Sequence, residues 1–594
     1  DIFGIEQVRL INEDGSPRGS KNLVIWNPPK LSQHMRKREN FIKESAEILV
    51  QLILQNVRTI AFCYVRRVCE LLMKEVRNIF ENMNRLDLVN DVMAYRGGYS
   101  PADRRKIERE MFHGNLKSVI STNALELGID IGGLDAVLMC GFPMSMANFH
   151  QQSGRAGRRN NDSLTVVVAS DSPVDQHYVA HPEALLDVDD PDSYQELVLD
   201  FENELILEGH IQCAAFELPI DVERDSEYFN RKYLTKMCEG HLYHNEEGYH
   251  TNNKFLPWPS KHVSLRGVEE EKFAVVDITN GRNLVIEEVE TSRTSFTLYD
   301  GAIFIHQGYP YLVKEMNPDE KYASVLRVDV DWVTSQRDFT DVDPQLIESV
   351  RSLKNSDTPI YFGNIRTKIL VFGYFKVDKF KRIIDAVETH NDPIIINSKG
   401  LWIDIPKVAL ELCVAKELSI AGAIHAAEHG IMGVFSRFIV AGADEIRTEC
   451  KAPEKEFAER QTKRLRPARL VFYDSKGGKY GSGLSTKIFE HIDEILAATL
   501  HRIEECPCDI GCPECVAAAY CTENCLVLSK QGALILLHTI LGHDPVEFLD
   551  KIKDGPEENM PEIAVETVVP VTEHVKFAPS FKVIDTVGNV NVVG

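Results

Sequence analysis

The stretch HQQSGRAGRR, residues 150–159, concentrates side chains that could bind a phosphate group. Its glycines, Gly154 and Gly157, are expected to bend the chain so that Arg155 and Arg158 point toward one place. Converging guanidinium groups are typical of phosphate binding, because each presents a planar fork of donors that matches the phosphate oxygens. The stretch therefore predicts a phosphate-binding loop.

A second candidate site lies upstream, in STNALELGIDIGGLD at residues 121–135. A strand is expected to end at Ser121 and Thr122, and parallel sheets bind ligands at the carboxyl ends of their strands. Both residues can donate hydrogen bonds to a nucleic-acid phosphate. Gly128 and Asp130 fall on the following loop and are candidates for ATP binding, with Asp130 suited to a ribose hydroxyl. An ordinary turn capped by Asp130 is the alternative.

Six of the 13 cysteines crowd into residues 506–525, CPCDIGCPECVAAAYCTENC. In a long chain without a secretory signal, such a crowded set indicates a metal site rather than disulfides. Four thiolates suit a closed, structural zinc site, and an iron–sulfur cluster with the same kind of ligands is the alternative. The predicted ligands are Cys508, Cys512, Cys515 and Cys521, with Cys506 as the first substitute.

Three other features have simpler explanations. His425 and His429 are spaced for metal binding on a predicted helix, but Ala426 stands where an HExxH motif needs glutamate, so a packed pair is expected. The basic stretch QTKRLRPARL, residues 461–470, fits a DNA-backbone contact or nuclear-import patch as well as a solvated loop. Trp258 is expected to be a hydrophobic anchor, with base stacking as the alternative.

The composition indicates a globular protein of several domains. A chain of 594 residues is too long for one core, so about three to five domains are expected. No apolar run reaches the ~18 residues of a membrane helix, so no membrane partner is expected. The net charge of −24 argues against a charge-driven coat on nucleic acid but is compatible with a local basic channel.

The order of apolar segments predicts how the candidate sites are positioned. Short apolar strands alternate with helices from residue 31 to about residue 175, which predicts a parallel sheet with helices on both faces. Residues 202–262 change to short helices and a hairpin, which predict a winged helix, and strand patterns follow at 263–335. Residues 346–545 mix strands with apolar helices.

Four stretches of the first region occur in a characteristic order: TIAFCYVRR (59–67), AYRGGY (94–99), STNALELGID (121–130) and QQSGRAGR (151–158). Together they resemble the second RecA-like domain of superfamily 2 helicases. The resemblance implies that Gln151, Arg155 and Arg158 are catalytic, with Arg158 as an arginine finger that neutralises charge on a γ-phosphate. It also implies a strand-binding cleft lined by Arg96, Ser121 and Thr122.

With this resemblance, the expected fold class is α/β, a RecA-like parallel sheet domain followed by a winged helix and a mixed α+β zinc-binding domain. The expected units are a lead-in at 1–30, the second RecA-like domain at 31–180, the winged helix at 181–262, a β-rich module at 263–345, the zinc-binding domain at 346–550 and a tail at 551–594.

A complete motor of this type also needs a Walker A loop, G-x-x-x-x-G-K-[ST], and a DExH box for magnesium and the attacking water. Neither pattern occurs in the sequence, and GGKYGSGLSTK at residues 477–487 lacks the required spacing, so a turn before a helix is expected there. The chain is therefore expected to be the C-terminal part of a longer helicase. Without the first RecA-like domain it should hydrolyse little or no ATP.

Three later stretches, HPEALLD, GAIFIHQGYPYLV and CPCDIGCPEC, extend the resemblance to the fungal RecQ4-like and bacterial mitomycin-repair helicases, which carry a C-terminal zinc-binding domain. This implies ATP- and Mg²⁺-dependent 3′-to-5′ translocation on single-stranded or forked DNA, a nuclear location and a role in DNA repair. An RNA helicase of the same superfamily and a non-catalytic DNA-binding module stay open, as does a homo-oligomer. Cys525 departs from the family pattern.

Overall fold

The computed structural model describes most of the chain. The described residues are 9, 15, 19–30, 38–127, 133–143, 145–157, 161–170, 172–185, 203–263, 271–378, 382–389, 393–439, 441, 445–448, 468–475, 481–518, 521, 525, 527–557, 581–584 and 590–593.

The first domain is a parallel sheet with helices against it. Its strands are β1 (Lys21–Trp26), β2 (Thr59–Cys63), β3 (Val92–Tyr95), β4 (Ser118–Ser121), β5 (Ala136–Cys140) and β6 (Ser163–Val168). Its helices are α1 (Phe41–Leu54), α2 (Arg66–Asn82), α3 (Pro101–Phe112), α4 (Met146–Ser153) and α5 (Pro173–Ala180). The described strands lie in the order β1-β6-β5-β2-β4-β3, and every pair is parallel.

The sequence explains this sheet directly. Strands β2 and β5 are buried at every residue, as central strands covered on both faces must be. The predicted parallel sheet is therefore confirmed. Strand β1 falls in the segment expected to be a lead-in, and it extends the sheet because Lys21 pairs with Ser163 at the start of β6.

The winged helix follows as a small separate core. Its elements are α6 (Glu204–Glu217), α7 (Val222–Asp225), α8 (Arg231–His241) and the antiparallel hairpin of β7 (Tyr243–Asn245) and β8 (Gly248–His250). Helices α6 and α8 enclose Ile211, Leu234 and Met237. Trp258 is 54% exposed, and its ring meets the ring of Phe216 at an interplanar angle of 68°.

The third unit consists mainly of strands. It comprises β9 (Lys272–Asp277), β10 (Leu284–Glu290), α9 (Thr291–Thr297), β11 (Ile303–His306), β12 (Tyr309–Asn317) and β13 (Tyr322–Asp329). Among the described residues the strand order is β10-β9-β13-β12-β11, with β13 and β9 parallel and the other neighbours antiparallel.

The C-terminal unit joins a further sheet to a helical core. Its elements are β14 (Trp332–Ser352), β15 (Pro359–Asp378), β16 (Ile383–Glu388), β17 (Ile394–Asp404), α10 (Lys407–Ala415), α11 (Ile420–Met432), β18 (Ile446–Thr448), β19 (Arg469–Asp474), α12 (Leu484–Glu505), α13 (Lys530–Ile540) and α14 (Pro545–Phe548). The boundary expected between residues 345 and 346 is wrong, because it falls inside β14, which pairs with β15 along its whole length.

The tail contributes strands to the third unit. Strands β20 (Phe581–Ile584) and β21 (Val590–Val593) form an antiparallel hairpin, and β20 pairs with the end of β13. Within the described part of the chain, no helix combines the length and the apolar character that crossing a bilayer requires.

Candidate functional site

The first part of the site is the carboxyl edge of the parallel sheet. Ser121 ends β4, where it pairs with Phe62 of β2 and Tyr95 of β3. Ser121 and Thr122 therefore both lie at the predicted edge. Ser121 is fully buried there and Thr122 is 8% exposed. Both residues are largely covered in the folded chain, so the predicted nucleic-acid contact through them stays a prediction. The candidate ATP-binding residues Gly128 and Asp130 lie outside the described residues.

The arginine loop follows α4 at the same edge. Helix α4 ends at Gly154, and Gly157 takes a left-handed conformation with φ of +78°. Gln151 is exposed on the last turn of α4, whereas Arg155 is 6% exposed. Arg158 lies outside the described residues, so its predicted convergence with Arg155 stays a prediction.

Arg155 binds the protein itself. Its Nε donates to the backbone carbonyl oxygen of Glu126 at 2.7 Å, and its Nη2 donates to the same oxygen. Glu126 lies just after β4, in the turn that follows Thr122. The guanidinium therefore fastens the arginine loop to the turn after β4.

The side chain of Glu126 strengthens this connection. Asn148 Nδ2 donates to Glu126 Oε1 at 2.6 Å, and Gln152 Nε2 donates to Glu126 Oε2 at 3.0 Å. Glu126 is 5% exposed, so these donors compensate a buried carboxylate. Sequence reasoning missed Glu126, Asn148 and Gln152, although Gln152 is the neighbour of the glutamine that it selected.

Arg96 occupies a different environment from the predicted one. It is 4% exposed and forms ion pairs with Glu70 Oε1 at 3.0 Å and Glu287 Oε2 at 2.6 Å. Tyr99 donates its hydroxyl to Glu70 at 2.6 Å, and His306 Nδ1 lies 3.2 Å from Glu287. The predicted DNA contact through Arg96 does not fit this geometry, because the guanidinium is enclosed between the first domain and the β-rich module.

Electrostatics explain why this enclosed charge is tolerated. Burial opposes the charge of Arg96, but Glu287 and Glu70 outweigh that effect and raise the pKa of Arg96 well above its usual value. Burial, together with Glu70, raises the pKa of the Tyr99 hydroxyl, so Tyr99 stays a neutral donor. The cluster is a buried network of ion pairs that joins the first domain to the β-rich module.

The cysteine cluster forms a second site at the end of α12. Cys506 Sγ lies 3.5 Å from Cys508 Sγ and 3.4 Å from Cys512 Sγ. Cys515 Sγ lies 3.4 Å from Cys508 Sγ and 3.9 Å from Cys512 Sγ. Tetrahedral zinc with Zn–S bonds of about 2.3 Å places its sulfurs about 3.8 Å apart. These four side chains therefore fit one zinc ion.

The expected ligand set is corrected at one position. Cys506, named as the substitute, belongs to the four-sulfur group, and Cys521 does not. Cys521 instead lies with His425 and His429, whose ligand atoms are all within 4.8 Å of one another. Spacing along the chain favoured a compact set ending at Cys521, but Cys521 Sγ lies 3.5 Å from His425 Nε2 on α11.

Lys530 lies against the backbone of the four-sulfur group. Its Nζ donates to the carbonyl oxygens of Cys506 at 2.6 Å and Cys508 at 2.7 Å, and lies 3.7 Å from Cys508 Sγ. The positive charge of Lys530 lies close enough to Cys508 Sγ to favour a thiolate there. A thiolate is the form that binds a metal ion.

Comparison with known proteins agrees with this architecture. Residues 44–160 match the family described as helicase conserved C-terminal domain. Residues 199–268 match the winged helix domain of ATP-dependent helicase HRQ1. Residues 427–516 match the MrfA Zn-binding domain, and this match includes Cys506 and Cys515 but ends before Cys521.

Similarity to whole proteins decides the family. The chain is 30% identical to the uncharacterized ATP-dependent helicase YprA of Bacillus subtilis over 89% of this chain and 68% of that protein. It belongs to the superfamily 2 helicases that carry a C-terminal zinc-binding domain. It is 76% identical to ATP-dependent helicase HRQ1 of Saccharomyces cerevisiae over 98% of this chain and 54% of that protein. It is 43% identical to ATP-dependent helicase hrq1 of Schizosaccharomyces pombe over 94% of this chain and 52% of that protein.

The chain thus spans about half the length of these two yeast relatives. The fold agrees with solved structures of the family. A crystal structure of the DUF1998 helicase MrfA bound to DNA superposes with a TM-score of 0.72 at 27% identity, over 90% of this chain and 68% of that one. The structure of MrfA bound to DNA and AMPPNP superposes with a TM-score of 0.69 at 27% identity, over 89% of this chain and 66% of that one.

Proposed function

We propose that this chain supplies the second motor domain, the winged helix and the zinc-binding domain of an ATP-dependent DNA helicase. The observation that carries the proposal is the bond between Arg155 and the carbonyl of Glu126, which fixes the arginine loop at the carboxyl edge of a RecA-like sheet. That edge is where such sheets bind nucleotides. The nucleotide cleft is completed by a first RecA-like domain with a Walker A loop and a DExH box, which this sequence does not contain.

In this mechanism the residues in and next to the arginine loop have different roles. Arg158 is the arginine finger, and its charge offsets the charge that develops on the γ-phosphate during hydrolysis. Gln151, exposed on α4, faces the same cleft and orients the reacting groups. Arg155 is a positioning residue, because its buried guanidinium holds the loop rather than the phosphate. Gly128 and Asp130 contact the nucleotide, which enters with Mg²⁺.

The nucleic acid is bound at the same carboxyl edge of the sheet, beside the turn that holds the arginine loop. The end of β4, where Ser121 and Thr122 lie, is assigned to the phosphates of a single strand or a fork, so little sequence preference is expected. The two MrfA structures are complexes with DNA, which supports DNA over RNA as the nucleic acid that this chain binds. Movement in the 3′-to-5′ direction, a role in DNA repair and a nuclear location complete the proposal.

The zinc-binding unit has a structural role in this proposal. Cys506, Cys508, Cys512 and Cys515 hold one Zn²⁺ in a closed site, since all four coordination places are filled by sulfur. The ion ties the end of α12 to the segment that leads into α13. It supplies folding energy rather than a catalytic position.

The test is ATP hydrolysis by the helicase that contains this chain together with its first RecA-like domain, with and without single-stranded DNA. Arg158→Ala should lower DNA-stimulated turnover by about 10³-fold or more, the range known for arginine fingers. Arg159→Ala is the matched control, because Arg159 lies outside the motif, and it should keep most of the activity. Full activity of Arg158→Ala would remove the finger assignment.

Two comparisons on the same preparation separate the remaining alternatives. Stimulation by single-stranded RNA as strong as by DNA would indicate an RNA helicase. This chain by itself should bind DNA but show no DNA-stimulated hydrolysis. Hydrolysis by the chain alone at the rate of the longer protein would contradict a cleft completed by a second domain.

A further inference from the structure

A group of buried metal-binding side chains lies beside the zinc cluster and is distinct from it. His425 and His429 occupy successive turns of α11, and Cys521 lies in the segment between the cluster and α13. The three side chains are 3%, 2% and 9% exposed. Their ligand atoms lie within 4.8 Å of one another, and Cys521 Sγ is 3.5 Å from His425 Nε2.

Both imidazoles are oriented as metal ligands are. His425 Nδ1 lies 3.1 Å from the carbonyl oxygen of Val527, and His429 Nδ1 lies 3.2 Å from that of Val516. A carbonyl oxygen only accepts hydrogen bonds, so each Nδ1 carries the proton and each Nε2 keeps its lone pair. Fixing the tautomer through a backbone carbonyl is the usual arrangement around histidines that bind a metal ion.

The sulfur side has the matching features. The backbone N–H of Cys525 donates to Cys521 Sγ at 3.2 Å, a bond that favours a thiolate. The same type of bond occurs in the zinc cluster, where Cys512 N–H donates to Cys515 Sγ at 3.3 Å. The Cys525 thiol itself lies 3.2 Å from both the N–H and the carbonyl oxygen of Ala518. The spacing is H-x3-H on α11 and C-x3-C in the segment, which is within the range of Cys₂His₂ zinc sites.

The distances agree with one ion. Tetrahedral zinc with a Zn–S bond of about 2.3 Å and a Zn–N bond of about 2.0–2.1 Å places sulfur and nitrogen about 3.5 Å apart, the separation found between Cys521 Sγ and His425 Nε2. A thiol hydrogen-bonded to a histidine would need only one imidazole. Here a second imidazole lies against the first, with ring centroids 4.2 Å apart, and also interacts with Cys521.

We propose that His425, His429 and Cys521 bind a second structural Zn²⁺ in this chain, and that Cys525, which lies outside the 4.8 Å group, moves in to complete the four ligands. The ion fastens the segment after the four-sulfur cluster onto α11. Because Val516 both follows Cys515 and accepts the hydrogen bond of His429, the two sites are connected through a single backbone position. The departure of Cys525 from the family pattern then has a function in this chain.

The first test is the zinc content of the purified, dialysed chain, measured by inductively coupled plasma mass spectrometry. The wild-type chain should contain two zinc ions, and His429→Ala, Cys521→Ser, Cys525→Ser and Cys506→Ser should each contain one. His538→Ala is the matched control, since His538 is a buried histidine of the same unit that lies outside both groups, and it should retain two. One zinc in the wild-type chain, kept in His429→Ala and lost in Cys506→Ser, would overturn the proposal.

A second measurement does not depend on how the variants fold. X-ray absorption at the zinc edge of the wild-type chain reports the mean coordination shell. One four-sulfur site together with one two-sulfur, two-nitrogen site gives about three sulfurs for each nitrogen, whereas the four-sulfur cluster alone gives sulfur only. An all-sulfur shell would overturn the second site. Retention of both ions by Cys525→Ser would overturn the four-ligand assignment.

Discussion

Arg96 and Glu287 are 191 residues apart in sequence and form a buried ion pair of 2.6 Å between the first sheet and the β-rich module. The pair joins a loop of the motor domain to strand β10 of the β-rich module. Glu70 and Tyr99 complete the cluster from the motor side. The two units therefore share one buried network of charges, in which Arg96 pairs with a carboxylate from each unit.

Removal of one partner should be strongly destabilising. Arg96→Ala leaves the carboxylates of Glu70 and Glu287 buried without their cation, which costs about 3–5 kcal/mol in comparable pairs. The thermal unfolding midpoint, followed by scanning calorimetry, should fall by several degrees. Arg85→Ala is the control, because its pair with Asp87 is exposed, and exposed pairs contribute about 0–1 kcal/mol. An unchanged midpoint with weakened binding of single-stranded DNA would instead restore the DNA contact predicted from sequence.

The left-handed Gly157 gives a second prediction. A Cβ at this position would meet Ser163 Oγ at 2.6 Å, and φ is +78°. The conformation alone costs about 1–2 kcal/mol for an L residue, and the contact adds to that cost. Gly157→Ala should therefore lower the unfolding midpoint of the motor domain. Gly154→Ala is the matched control in the same loop, since Gly154 has a helical φ of −69°. Equal midpoints for the two variants would contradict the geometry.

Arg155 tests positioning against direct phosphate binding. Arg155→Lys cannot repeat the two N–H bonds to the carbonyl of Glu126, so the arginine loop should shift. A shift of about 1 Å can cost about 10²-fold in rate. In the complete helicase, kcat for ATP hydrolysis should fall while KM for ATP changes little, because no ground-state contact to the phosphates is lost. A raised KM with unchanged kcat would show that Arg155 binds the nucleotide itself. Arg159→Lys should leave both constants near wild type.

Short-range sequence patterns predicted the strands and helices whose formation depends on neighbouring residues. Strands such as TIAFC and the winged helix follow from apolar periodicity and turn residues over a few positions. Arg96 and Cys521 were misplaced for the opposite reason, since their partners are distant in sequence. Cys521 meets His425 across 96 residues and Arg96 meets Glu287 across 191. Spacing along a chain carries no information about such contacts until the topology brings them together.

Lys530 gives a prediction for the zinc cluster. Its buried ammonium group lies against two ligand carbonyls and near Cys508 Sγ. Lys530→Met removes this charge and should weaken zinc binding about 10–100-fold, the usual effect of losing a group behind the ligands. Competition with a chromophoric chelator measures the affinity. Lys553→Met is the control, because its pair with Asp509 is exposed, and it should change the affinity by about twofold or less. Equal losses in both variants would contradict a specific role for Lys530.

His538 links stability to pH. Burial lowers the pKa of His538, and the charge of Glu504 only partly offsets that effect. The folded protein therefore favours the neutral imidazole, which stacks on Phe548 with ring centroids 4.3 Å apart. Below the usual histidine pKa of about 6.5 the unfolded chain gains a proton that the folded chain does not. Stability should thus be lost as the pH falls from about 6.5 toward the lowered pKa of the folded state.

The corresponding experiment compares unfolding midpoints between pH 7.5 and pH 5.5. His538→Gln cannot titrate, so its midpoint should fall less over this range than that of the wild-type chain, even if it starts lower because the stacking on Phe548 is lost. His501→Gln, at an exposed position of α12, should follow the wild-type pH profile. If the midpoint of His538→Gln falls with pH as steeply as that of the wild-type chain, the acid sensitivity belongs to another group. If it falls more steeply, protonation of His538 stabilises the folded protein.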